Sequence, residues 1–199
     1  TVLDRRTAYP RLLAWITLFL RMCLGGQMLF YGFAKLIPTQ MPEPTLAQLL
    51  QPYGTLSPAS VLWLQVGSSH PYEMALGAVE VIAGLLLFVP RTAVLGSVLS
   101  LASMAQVFLM NMTFDVPVKL LSLHLLLLSL VLLAPYLGQL LNVFVGQRAS
   151  EPLTQPPLFT DNRRNRVAAW GQVAIGIWVA LGGVYDGWMT WQEYGGGSP

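Results

Sequence analysis

Three stretches of the chain carry no charged residue, and each is long enough to cross a lipid bilayer. They cover residues 92–114, 120–147 and 167–185, whereas a membrane-spanning helix needs about 20 apolar residues. Charged residues make up 10% of the chain, against roughly 25% in a soluble domain. These features predict a polytopic membrane protein. They argue against a soluble enzyme, a nucleic-acid-binding protein and a disulfide-stapled secreted domain.

The prolines help to divide the apolar sequence into five transmembrane helices, so the predicted fold class is an all-α membrane protein. Pro90 separates the second helix from the third, and Pro117 opens the fourth, because proline suits a first helical turn. Asp115, two residues earlier, is the expected N-cap of that fourth helix. The predicted spans are residues 12–36, 72–89, 92–111, 117–136 and 167–190.

Two longer segments are not expected to cross the membrane. Residues 38–71 contain six prolines and are predicted to form a re-entrant or interfacial loop on the outer side. Within that loop, Ser57 and Pro58 are typical of a capped helix start, so a short helix is expected over residues 59–66. Residues 147–166 are polar and basic, which predicts a cytoplasmic linker.

The distribution of basic residues predicts the orientation of the chain. With the N-terminus in the cytoplasm, eight arginines lie on the cytoplasmic side, and only Lys35 and Lys119 lie on the other side. This excess is typical of the positive-inside rule, and it places the C-terminus outside the cytoplasm. The eight arginines are Arg5, Arg6, Arg11, Arg91, Arg148, Arg163, Arg164 and Arg166.

Besides Lys35 at the end of the first helix, three charged side chains fall inside the first two predicted helices. Arg21 and Glu80 each lie near the middle of their helix, where a charge costs roughly 2.5–3.5 kcal/mol on insertion scales. We therefore expect a buried Arg21–Glu80 ion pair, which either fixes helix packing or acts on a ligand or proton. Glu73 lies on the same helical face as Glu80. These three residues form the predicted buried polar core.

Glycines recur at helical spacing on the faces that carry these charges, and again on the third and fifth helices. Small residues at such spacing allow membrane helices to approach closely. In the third and fifth helices we interpret them as packing positions, whereas in the first two the neighbouring charges indicate a polar interior. The predicted helix-packing glycines are Gly25, Gly32, Gly77, Gly84, Gly96, Gly176 and Gly183.

A second group of polar residues lies toward the outer surface and forms a candidate quinone- or lipid-binding site. In that interpretation, the side chains surround the polar head of a lipophile beneath the 38–71 loop. A structural interpretation is also open, in which the lysines extend to the headgroups, the aspartate caps its helix and the histidine bonds a backbone carbonyl. The candidate residues are Tyr31, Lys35, Asp115, Lys119 and His124.

Three motifs of the chain resemble the DoxX family of integral membrane proteins. They are the run from Arg21 to YGFAKL at 31–36, the glycine- and glutamate-containing run 77–87, and FDVPVKL at 114–120. The resemblance covers residues 12–146. The residues that match the family's polar core are Arg21, Gly32, Lys35, Glu80, Asp115 and Lys119.

The resemblance implies a domain organisation. Residues 1–146 are expected to form the family's four-helix membrane bundle, with the 38–71 loop on its outer side. Residues 147–166 then form the linker, and residues 167–199 form an added fifth helix with an extracytoplasmic C-terminus, as in a longer variety of the family.

The same resemblance implies a link to membrane redox chemistry, because the family takes its name from a subunit of a thiosulfate:quinone oxidoreductase. We expect an accessory or structural subunit of a larger redox or energy-converting complex in the bacterial cytoplasmic membrane, without catalysis of its own. The alternative is a quinone- or lipid-binding module, and a small transporter is a third hypothesis.

The expected partners are membrane lipids and other membrane subunits, not nucleic acid, and the cofactor considered is a quinone or a bound lipid. With one cysteine and two histidines in the chain, no metal site is expected.

Overall fold

The computed structural model describes residues 9–146 and 152–195, and within them the chain is helical without β-strands. Arg5, Arg6 and Arg148 of the predicted cytoplasmic arginines lie outside the described residues, as do the predicted ends of the chain. The α-helices are α1 (Pro10–Leu36), α2 (Leu46–Leu49), α3 (Pro58–Gly67), α4 (His70–Phe88), α5 (Ala93–Thr113), α6 (Lys119–Leu133), α7 (Leu137–Phe144) and α8 (Asn162–Thr190). Short 3₁₀ turns cover Tyr53–Thr55 and Ala134–Tyr136, and a π-helical turn covers Trp191–Gly195.

Five segments are long and apolar enough to cross a membrane, which confirms the prediction of an all-α, multi-pass membrane protein. The fourth is the stretch Lys119–Phe144, in which the helix tightens into a 3₁₀ turn at Pro135, a residue without an N–H for the helical ladder. The five segments are α1, α4, α5, Lys119–Phe144 and Asn162–Glu193.

Helix α8 begins five residues before the predicted start at 167. Asp161 caps it, because its carboxylate accepts a hydrogen bond of 3.0 Å from the Arg163 N–H. The predicted linker 147–166 is therefore wrong at its end, since residues 162–166 belong to the helix. The linker residues 147–151 lie outside the described residues.

Helices α1, α4, α5 and α6 close a four-helix bundle, in which each packs against the next and α6 packs against α1. Helix α8 lies outside the bundle against α1 and α4, so the predicted architecture of four helices plus a fifth is confirmed. Large apolar side chains on the outer surfaces remain exposed, as suits contact with lipid tails. The central core consists of Leu24, Met28, Ala83, Leu87, Met104, Leu125 and Leu132.

The backbones of α1 and α4 touch along their length because glycines occupy the contact. A Cβ atom added to Gly32 would lie 2.8 Å from the Val81 nitrogen, and one added to Gly84 would lie 3.1 Å from the Gly25 carbonyl oxygen. Gly77 likewise faces the last turn of α1. The predicted glycines of these two helices therefore all lie at the α1–α4 interface.

The remaining predicted glycines bring α5 and α8 close to the same two helices. Gly96 faces the backbone of α4, where an added Cβ would lie 2.9 Å from the Leu87 nitrogen. Gly176 lies beneath Phe88, and Gly183 lies beneath Phe33. Aromatic side chains of the bundle thus fill the space that α8 leaves open.

Helix α3 lies over one end of the bundle and agrees with the predicted short capped helix. The Ser57 hydroxyl accepts a hydrogen bond of 3.1 Å from the Ser60 N–H, and Pro58 occupies the first turn. Helix α3 buries Leu62 and Val66 in a cluster with Met41 and with Val116 from the loop before α6. This cluster covers the polar interior described below.

Candidate functional site

The predicted Arg21–Glu80 ion pair is wrong. Glu80 instead accepts two hydrogen bonds from the Lys35 ammonium group, at 2.8 Å to Oε1 and 2.6 Å to Oε2. Arg21 donates to the side-chain carbonyl of Gln172 on α8. The three predicted core residues Arg21, Glu73 and Glu80 are all buried, but each has a different partner.

The register of α1 against α4 explains this exchange of partners. Gly32 lies opposite Glu80 and Val81, whereas Gly25 lies opposite Phe88, so the two helices run antiparallel. Arg21 precedes Gly32 by 11 residues, which corresponds to roughly 16 Å along a helix axis. The position of a residue within its own helix does not reveal this offset. The first half of α1 extends well past the end of α4, which lies opposite Gly25.

Lys35 points into the bundle rather than toward the headgroups. It lies on the same helical stripe as Gly25, Met28 and Gly32, three and four residues apart, and that stripe faces α4. Its side chain is 9% exposed and that of Glu80 is 2% exposed. A lone charge buried to this degree is very unfavourable, so each of the two side chains needs the other as its partner.

Glu73 connects the loop after α1 to α4. Its side chain is fully buried, and its Oε1 atom accepts a hydrogen bond of 3.0 Å from the Met41 N–H. The Oε2 atom has no hydrogen-bond partner among the described residues. Glu73 therefore anchors the start of the 38–71 loop one and a half to two turns from the Lys35–Glu80 pair.

A cavity of about 260 Å³ lies among the four bundle helices beneath α3. The Lys35–Glu80 pair forms part of its wall, and the Lys35 ammonium lies 6.0 Å from the centre of the Tyr31 ring. Most of the remaining wall is apolar. It includes Leu62, Trp63 and Val66 of α3, Leu76 and Val79 of α4, Val107 and Met110 of α5, and Leu121 and Leu125 of α6.

Further polar residues line this cavity, and two of them, which were not among the predicted site residues, bond to each other. The Asn111 side chain donates a hydrogen bond of 3.0 Å to the Ser122 hydroxyl, and both residues are buried. The bond joins α5 to α6 at the depth of the cavity. The available signal was an amide side chain within a charge-free membrane span, a feature that marks functional or packing positions.

The cavity opens between α4 and α5. Its exposed lining residues on these helices are Val79 on α4 and Ala102 and Gln106 on α5. The two helices are in backbone contact at Gly96, near their short connection, and they leave room between them toward the other end. The opening therefore faces the region where lipid tails would lie.

Three of the predicted outer-site residues do not line this cavity, so the predicted five-residue cluster is wrong. Asp115 pairs with Lys119 one helical turn away, and the Asp115 carboxylate is exposed. His124 is exposed on α6, and its Nδ1 atom lies 2.5 Å from the Leu120 carbonyl oxygen. Only Tyr31 and Lys35 of the cluster face the cavity, because Asp115, Lys119 and His124 lie on the outward side.

Asp115 also does not cap the fourth helix. The N-cap of α6 is Val118, without a side-chain cap bond. Asp115 has a φ of 55°, a left-handed conformation that aspartate tolerates better than most residues in a turn. The hydrogen bond and charge of Lys119 hold the pKa of the Asp115 carboxyl below its usual range.

Comparisons with known proteins identify a relative of this chain, but they do not assign it an activity. No protein-family model matches the chain, and no solved structure matches it. The chain is 34% identical over 113 residues to uncharacterized protein YwoB of Bacillus subtilis (strain 168), an alignment that covers 57% of this chain and 71% of YwoB. With that identity and coverage, the chain belongs to the same family as YwoB.

Proposed function

We propose that this protein binds the polar head of a lipophilic molecule, a quinone ring or a lipid headgroup, in the cavity between its four bundle helices. The proposal rests on one observation. A buried Lys35–Glu80 ion pair lines a cavity of about 260 Å³ with mostly apolar walls and an opening between two membrane-spanning helices. Such a mixture of apolar walls and a few polar groups is typical of sites for small organic ligands.

The chemistry of the lining favours a neutral head with hydrogen-bond acceptors. The charges of Lys35 and Glu80 cancel each other, so the cavity has no net charge to attract an ion. Lys35 has a third N–H, and the Asn111 amide has a second N–H, beyond the bonds described above. These donors suit the carbonyl oxygens of a quinone or an ester.

The size of the cavity favours a head rather than a whole lipid. Pockets that enclose a complete drug-sized ligand measure roughly 300–1,000 Å³, which is more than this cavity offers. A ring bound beside Lys35 leaves its tail to extend past Val79 and Ala102 into the bilayer. The energetic cost of burying the tail is then avoided, because the tail stays in hydrocarbon.

The resemblance to the DoxX family agrees with this proposal, since that family is named for a quinone-linked complex. We place the protein in the bacterial cytoplasmic membrane with its N-terminus in the cytoplasm, as the basic residues predict. The accessory-subunit role stays a prediction from the resemblance. Ligand binding in the cavity is compatible with such a role and does not require catalysis by the chain itself.

Trp63 in the cavity wall provides a direct test. Decylubiquinone, a quinone with a short tail, is titrated into the protein in maltoside detergent while tryptophan fluorescence is recorded. We expect a saturable quenching component that is absent in Trp63→Phe. Decylbenzene, which has a similar tail but no carbonyl groups, should not compete for that component.

Two exposed alanines of α5 provide a variant that blocks the cavity mouth and a matched control. Ala102 lies at the cavity mouth, whereas Ala105 is exposed on the same helix away from the cavity. Ala102→Phe should weaken saturable quenching about ten-fold or more, and Ala105→Phe should leave it unchanged. Equal effects of the two variants, or quenching that never saturates in the unmodified protein, would show that the cavity does not bind a quinone ring.

A further inference from the structure

A second cavity, of about 200 Å³, lies where α4 turns into α5, between the first halves of α1 and α8. Arg21 of α1 and Gln172 of α8 line it, together with Pro90 of the turn and residues 155–158. No residue lines both this cavity and the one beside Lys35. The two are separate sites at different depths of the bundle.

Arg21 is the unusual feature of this second cavity. Arg21 is only 3% exposed, and its Nε atom has no hydrogen-bond partner among the described residues. It donates a hydrogen bond to the neutral amide of Gln172, and within the described residues no carboxylate forms an ion pair with it. A guanidinium has five N–H donors, and an unpaired buried charge is strongly unfavourable.

Hydrogen bonds hold the loop that forms another part of the wall against α8. The Asn165 side chain accepts a hydrogen bond of 2.8 Å from the Phe159 N–H and donates one of 2.7 Å to the Phe159 carbonyl. These two bonds fix the segment that contains Pro156 and Pro157 against α8. The cavity is therefore bordered by two helices and a tethered loop, and Arg21 supplies its positive charge.

We propose that this second cavity binds a phosphate group, whose negative charge is balanced by Arg21. The planar fork of a guanidinium matches phosphate oxygens with two parallel hydrogen bonds, and the amide group of Gln172 lies beside it. The cavity is level with the α4–α5 turn, where the two spans leave the membrane. Both a phospholipid headgroup and free phosphate reach that level.

Thermal unfolding in a phosphate-free maltoside detergent tests the proposal with two probes. The first is sodium phosphate, compared with sodium chloride at equal ionic strength. The second is phosphatidylglycerol, compared with a diacylglycerol of the same chains that lacks the phosphate. We expect at least one probe to raise the melting temperature by about 3 °C or more, because a ligand that binds the folded state stabilises it.

Two arginine variants make the test specific. Arg21→Met removes the proposed phosphate ligand and should abolish the rise, whereas Arg166→Met removes an exposed charge on α8 and should keep it. A rise with both probes, or with phosphate alone, identifies a site open to water, and a rise with phosphatidylglycerol alone identifies a headgroup site. No rise in the unmodified protein, or an equal rise in Arg21→Met, overturns the proposal.

Discussion

Helix α1 buries two cationic side chains 14 residues apart, and their surroundings differ in one decisive way. Lys35 faces a carboxylate, Glu80, at 2.6 Å, whereas Arg21 faces the neutral amide of Gln172. The first charge is balanced inside the fold, and the second is balanced by nothing among the described residues. Equal burial therefore does not imply equal function, because a neutral ion pair suits an uncharged ligand and an unpaired cation suits an anion.

Breaking the Lys35–Glu80 pair should lower the stability of the protein more than any other change considered below. Glu80→Gln leaves the Lys35 charge buried without a partner, which should lower the free energy of unfolding by roughly 3–5 kcal/mol. The measurement is thermal or denaturant unfolding in one detergent. Lys35→Met should cost a similar amount, because it leaves the Glu80 carboxylate alone.

The double variant is the control for this prediction. Lys35→Met combined with Glu80→Gln removes both charges, so most of the loss should be recovered. If the two single losses simply add in the double variant, Lys35 and Glu80 do not stabilise each other, and the contrast with Arg21 disappears.

The second largest effect is expected from displacing α8, the helix that carries Gln172, while Lys35 and Arg21 stay unchanged. Gly176→Ala places a Cβ 2.6 Å from the ring and Cβ of Phe88, a buried side chain, so the change should cost roughly 1–3 kcal/mol. Gly171→Ala is the matched control, because nothing lies within 4 Å of its added Cβ. The stability of Gly171→Ala should stay the same or rise slightly.

The same pair of glycine variants tests whether the two cavities bind their ligands independently. Helix α8 lines the cavity at Arg21 but not the cavity at Lys35. Gly176→Ala should therefore weaken phosphate-dependent stabilisation and leave quinone quenching of Trp63 unchanged. If both signals change together, the two sites are coupled rather than separate.

The sequence predicted the number of spanning helices and their packing surfaces well, because these depend on local patterns. Charge-free runs, prolines and glycine spacing are all visible along the chain, and Gly32 and Gly77 do lie at a helix contact. The partners of the buried charges were not predictable in this way. They depend on the offset between α1 and α4, which no local pattern of either helix encodes.

The candidate site shows the same limit. Tyr31 and Lys35 were predicted as part of the polar group toward the outer surface, and both line the cavity. Asn111 and Ser122 were missed, because their pairing joins two helices. His124 was assigned to the site from its depth alone, but its position around the helix turns it outward.

A smaller effect is expected from removing the unbalanced charge. In a phosphate-free detergent, Arg21→Met should change the free energy of unfolding by less than about 1 kcal/mol, because the lost hydrogen bond to Gln172 is offset by the removed cost of burying a charge. Unfolding of this variant beside Glu80→Gln gives the contrast directly. A loss as large as that of Glu80→Gln would mean that Arg21 is balanced within the protein, and the phosphate proposal would lose its basis.

The smallest effect is expected at the exposed counterpart of the Lys35–Glu80 pair. Asp115, whose side chain is 77% exposed, pairs with the partly exposed Lys119, so salt and water screen the interaction. Asp115→Asn should hardly change the melting temperature at pH 7.

The small contribution of this pair should also depend on pH. Because Lys119 lowers the pKa of the Asp115 carboxyl in the folded state, the stabilisation by the pair is present above the pKa of an unfolded aspartate and is lost as the pH falls through the lowered value. The melting temperatures of the unmodified protein and Asp115→Asn should therefore converge in acid, and added salt at pH 7 should reduce their difference as well. A large difference at pH 7 that resists salt would mean that this pair is shielded from solvent, as the Lys35–Glu80 pair is.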